Sequence, residues 1–114
     1  MYMTVSWSPD SQRVMLLDQF GRGAMFYAAE LLNRVWRDVK NDLNPVKARF
    51  IPPSKESRVD HVDLGQWASV TAIQIQDHFL VTDKDTHSDA PVTAQWEDAT
   101  AILQFSNRSL RVVN

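Results

Sequence analysis

The sequence predicts an α+β domain: two N-terminal helices packed on a small antiparallel sheet of about five strands, either a small curled sheet or an SH3-like partial barrel. Three observations predict it. Apolar residues recur at steps of three and four up to Leu43, they alternate after Asn44, and a polar stretch broken by Pro52 and Pro53 separates the two patterns. One domain is expected over residues 1–114, with a helical half 1–44 and a strand-rich half 45–114. Neither half holds enough apolar residues for a core of its own.

Ser8-Pro9-Asp10 is a helix-start signal: Ser8 to cap, Pro9 for the first turn, Asp10 for the positive end. Val14 to Leu17 and Phe20 follow, and Gly21-Arg22-Gly23 is expected to hinge into a second helix. There, Met25, Ala29, Leu32, Trp36, Val39 and Leu43 make one helical stripe, with Glu30, Arg34 and Asp38 spaced to pair on another face. Asn44-Pro45 ends it.

Val46, Ala48 and Phe50 alternate with Lys47 and Arg49, a short strand with one basic face. Residues 52–58 are expected to form a loop. Trp67 to Gln76 is a β-branched strand, which Phe79 to Thr82 either continues or pairs back on through Asp77-His78, and residues 84–90 form a polar loop. The end is a three-stranded meander, with strands 92–97, 100–106 and 110–113 and turns at Asp98-Ala99 and Asn107-Arg108. The expected core is Leu32, Trp36, Val39, Phe50, Ile73, Ile75, Leu103 and Phe105.

The absence of cysteine excludes disulfides, thiolate metal sites and a Cys nucleophile. No apolar run reaches the ~20 residues of a membrane-spanning helix, and Met1 to Val5 lacks a basic start. A cytoplasmic protein with no membrane partner is expected.

Val5-Ser6-Trp7-Ser8-Pro9-Asp10 resembles the strand-and-turn phrase of β-propeller repeats, but occurs once and is expected to open a helix. Gly21-Arg22-Gly23 lacks the further glycine or Gly-Lys-Ser/Thr ending that a phosphate loop needs. Asp83, Asp85, His87 and Asp89 alternate, and in an extended chain they would share one face with oxygen and imidazole ligands for a divalent ion. An EF-type loop starting at Asp83 would place Ser88 and Ala94 where glycine and glutamate are required, so no metal site is expected. His61 (near Asp60 and Asp63) and His78 (beside Asp77) are the remaining acid–base candidates. No Gly-x-Ser-x-Gly nucleophile elbow is present. No catalytic residue and no cofactor are expected. Val92 to Trp96 is faintly similar to a strand of SH3-like and Tudor-type modules, with Trp96 as core filler.

Charge is sorted along the chain. Residues 34–58 hold seven bases and three acids, a formal +4, whereas residues 59–98 hold eight acids and one base, a formal −7. This division predicts a non-catalytic protein-binding domain, such as an inhibitor, immunity protein or accessory subunit, that meets a basic partner through Asp83, Asp85, Asp89, Glu97 and Asp98. The alternative is nucleic-acid binding through Arg34, Arg37, Lys40, Lys47 and Arg49, against which the pI of about 5.8 argues. Oligomeric state is left open.

Overall fold

Asn33 and Arg34 have φ angles of 51° and 65°, and Asn107 and Arg108 have 49° and 62°. Two successive left-handed residues are the backbone signature of a tight hairpin turn whose twist matches that of its strands. The chain therefore reverses within two residues at both places, with Leu32 paired to Val35 and Ser106 to Ser109.

The structure, a computed structural model, describes residues 2–20, 23–41, 55–83 and 94–113. It has eight strands: β1 (Tyr2–Trp7), β2 (Arg13–Phe20), β3 (Gly23–Leu32), β4 (Val35–Asn41), β5 (Lys55–Ser69), β6 (Ala72–Asp83), β7 (Ala94–Ser106) and β8 (Ser109–Val113). They lie in the order β1-β2-β3-β4-β8-β7-β6-β5. Two antiparallel four-stranded meanders thus meet edge to edge. Their join is short and parallel, Lys40 with Ser109 and Asn41 with Leu110.

The two meanders fold over one another around a shared core. Met15, Ala28 and Val39 come from the first, and Ile73, Ile75, Ala101, Leu103, Phe105 and Leu110 from the second. A second buried group, Phe79, Val81 and Ala99, lies farther out between β6 and β7. The side-chain period of two assigns each face.

Three side-chain devices hold the outer strands together. The Gln19 amide donates to the Val62 carbonyl at 2.9 Å and accepts from the Val62 N–H at 3.0 Å, so β2 grips β5 as a neighbouring strand would. A bulge between Leu64 and Trp67 lets both face the core, although their spacing would otherwise place them on opposite faces. Gly65 permits that bend, because a Cβ there would lie 2.9 Å from the Gln74 carbonyl oxygen. Trp67 then stacks on Phe105 at 6.0 Å and donates its indole N–H to Ser6 Oγ at 2.9 Å. Across the core's end, Arg13 pairs with the buried Glu30 at 2.9 Å, donates to the Val70 carbonyl and lies over the Phe105 ring.

These elements correct the α+β expectation: among the described residues there is no helix, and the strands form one eight-stranded sheet rather than a five-stranded SH3-like barrel. The described residues of the expected helical half form strands β1 to β4 and the turns between them. The helical stripe arose because β3 is apolar on both faces, so a run such as Ala24 to Leu32 fits either period. Leu32 and Trp36 leave the expected core; Trp36 is exposed while Val39 is buried. The Gly21 segment lies between paired strands, Phe20 with Gly23, rather than between helices, and Gly21 and Arg22 are outside the described residues. Ser8 to Gln12 form a hairpin turn, not a helix start. Ser8 Oγ accepts from the Arg13 N–H and donates to Asp10 Oδ1. The propeller-like phrase is thus a strand and turn locally.

In the second half, Lys55 to Arg58 belong to β5 rather than a loop, and Asp98 and Ala99 are paired within β7 rather than forming a turn. The Trp67–Gln76 strand is two strands joined at Val70-Thr71, and Phe79 to Thr82 continue β6. The turn at Asn107-Arg108 and the strand after it stand as expected. The 46–50 strand, including Lys47, Arg49 and Phe50, lies outside the described residues.

Candidate docking face

Alternation along β1 points Thr4 and Ser6 toward the core, where Ser6 meets Trp67, and turns Met3, Val5 and Trp7 outward. The register carries this outer face across three more strands. Met3 lies opposite Asp18 and Asp18 opposite Met25; Val5 opposite Leu16 and Leu16 opposite Tyr27; Trp7 opposite Val14 and Val14 opposite Ala29. On β4 the outward positions are Trp36, Asp38 and Lys40, alternating with the buried Val39.

Six large apolar side chains on this face, Met3, Val5, Trp7, Met25, Tyr27 and Trp36, are 43–54% exposed. Trp7 and Trp36 meet edge to face at 5.6 Å, although they start on the first and fourth strands. The residues between them, Val14 and Ala29, are small enough for the rings to close over them, and Val14 is buried as a result. Side chains of roughly 100–250 Å² each, about half exposed, leave on the order of 500 Å² of contiguous apolar surface. That is near the upper end for a free monomer.

The outer face of the second meander is built differently. His61, Asp63, Gln74, Gln76, His78, Asp98, Thr100 and Gln104 dominate it. His78 pairs with Asp98 through Nδ1 at 2.6 Å and lies flat on Trp96, with centroids 4.7 Å apart and rings 1° from parallel. His61 stands opposite His78 and reaches Asp63 at 3.6 Å. Both histidines, the acid–base candidates, sit on an open sheet face. Among the described residues no group of three or more His, Asp or Glu is arranged to hold a metal ion.

Three of the acidic residues expected to form the contact, Asp83, Glu97 and Asp98, lie among the described residues. Asp83 is ion-paired with Lys55 at 2.8 Å. Glu97 and Asp98 are neighbours in β7 and therefore point to opposite faces, Asp98 toward His78. Asp85, His87 and Asp89 lie outside the described residues. Of the basic alternative, Arg34 sits in the β3–β4 turn, Arg37 points to the inner side and Lys40 to the outer. All three are exposed, and they do not line one stripe. No helix among the described residues is long and apolar enough to cross a membrane.

The outer-face aromatics were missed because helical spacing placed Trp36 in the core. The available signal was the strict alternation Met3-Thr4-Val5-Ser6-Trp7. Alternation alone would still have sent the apolar set inward. The chain matches no protein-family model, no curated protein and no solved structure.

Proposed function

We propose that this chain is a non-catalytic protein-binding module whose contact is the outer face of β1–β4. One observation carries the proposal: six half-exposed large apolar residues gathered on a sheet face whose other side already supplies the core. Folding does not require that surface to be apolar, since β5–β8 fold with a mainly polar one. Aromatic and methionine side chains are also enriched where proteins meet. The acidic contact inferred from charge has less support, because Asp83 is neutralised by Lys55, and Glu97 and Asp98 face apart.

A photo-crosslinking amino acid placed at Tyr27, compared with one at Gln76, tests the proposal in the cells that make the chain. Adducts to protein are expected from position 27 and not from position 76. Equal yields, or none from position 27, would refute it.

A further inference from the structure

We infer that the occupant of this face is a second copy of the same chain, related by a two-fold axis, with Asp18 of each copy facing Lys40 of the other. The inference rests on the docking proposal and goes beyond it by naming the partner.

One charged group on the face lacks a partner and another is free to supply one. Asp18 lies between Met3 and Met25, and its Oδ1 is buried without a hydrogen-bond partner. A carboxylate oxygen shielded from water and left unpaired calls for a cation or donor brought from outside. Lys40 lies on the same face, exposed and without an ion pair to any of the described residues. It sits two strands across from Asp18 and one outward position along, about 10 Å by about 7 Å in sheet coordinates.

That placement is self-complementary. A two-fold axis lying between two stacked copies, passing over β3 between Met25 and Tyr27, exchanges the Asp18 and Lys40 positions. Each carboxylate then meets the other copy's ammonium, forming two equivalent pairs. The same axis runs diagonally close to Tyr27, Leu16 and Trp7, so these three side chains fall near their own counterparts, while Trp36 stays at the rim. Isologous contacts of this kind close at two subunits. The apolar field of on the order of 500 Å², together with its charged rim, approaches the roughly 800 Å² per partner of a stable interface. The hydrophobic area would supply association and the charge pairs would fix orientation.

Analytical ultracentrifugation of the purified chain tests this. The wild type should sediment as a dimer that dissociates on dilution. Lys40→Asp and Asp18→Lys each place like charges together, so each should weaken dimerisation by about tenfold or more. Mixing the two variants restores both pairs and should yield a heterodimer, although neither variant dimerises well alone. Lys40 is exposed, so Lys40→Asp decides the matter even if Asp18→Lys does not fold.

Dimers indifferent to Lys40→Asp, or no heterodimer from two folded variants, would overturn the pairing. A wild type monomeric at every concentration would overturn self-association. In that case adducts from position 27 to a protein of a different mass would leave the docking proposal intact. Monomers that instead float with phosphatidylcholine vesicles would assign the face to lipid and overturn both.

Discussion

Among the described residues the two meanders share strand number, connectivity and a common core, yet their outer faces differ in polarity. Over β5–β8 that face carries mainly polar side chains, His61, Gln74, Gln76, His78, Asp98 and Gln104, with Trp96 stacked on His78 and Val113 as its large exposed apolar members. Over β1–β4 it carries Met3, Val5, Trp7, Met25, Tyr27 and Trp36. Since the same architecture tolerates either surface, the apolar one is not a requirement of the fold.

Tryptophan substitution breaks the comparison most sharply. Trp67 joins the meanders through Phe105 and Ser6, so Trp67→Ala should cost about 3–5 kcal/mol in urea unfolding. Trp7 lies on the outer face and touches Trp36 edge-on, so Trp7→Ser should cost only about 1 kcal/mol in the isolated, dilute chain. If Trp7→Ser were as damaging as Trp67→Ala, the outer face would be a structural core and not a docking surface.

Between these extremes stand the devices that aim Trp67 and hold β5. Gly65→Ala drives a methyl group toward the Gln74 carbonyl and should cost about 1–3 kcal/mol, read as a lower Tm. Gln19→Ala removes both bonds to Val62 and should cost about 1–2 kcal/mol, with faster amide exchange at Val62 as its local mark.

The smallest effect is acid-dependent. The Ser8 hydroxyl, with help from the Gln12 N–H and the Arg13 charge, holds the Asp10 carboxyl below the usual aspartate range. A carboxylate whose folded pKa is depressed contributes its stability above the unfolded pKa and loses it as pH falls through the folded value. Asp10→Asn should therefore lower Tm slightly at neutral pH, and its difference from wild type should vanish in acid below the ordinary aspartate range. A difference constant across that window would remove Asp10 from the account.

The same contrast explains what was legible in the sequence. In the second half, Ile73 and Ile75 alternate with Gln74 and Gln76 because only one face is apolar, and both the strand character and the core residues were readable. Phe105 and Leu103 were found in the same way. In the first half the extra apolar face filled in the alternation, and a strand with two apolar faces imitates a buried helix. The turn chemistry could have corrected this. Asn107-Arg108 was read as a turn, while the same dipeptide at Asn33-Arg34 was overridden by helical spacing, yet both adopt two left-handed residues. The bulge at Gly65 and the grip of Gln19 depend on long-range approach and leave no local trace. The apolar outer face was hidden for the physical reason that makes it notable: apolar residues are expected inside.

Hydroxyl-radical footprinting of the intact chain, first in the cells that make it and then purified and dilute, tests that face most directly. Met3, Trp7, Met25 and Tyr27 should be protected in cells and become reactive on dilution, while Trp96 on the second meander labels equally in both. Equal labelling of all five residues in the two settings would show the face uncovered and contradict the account.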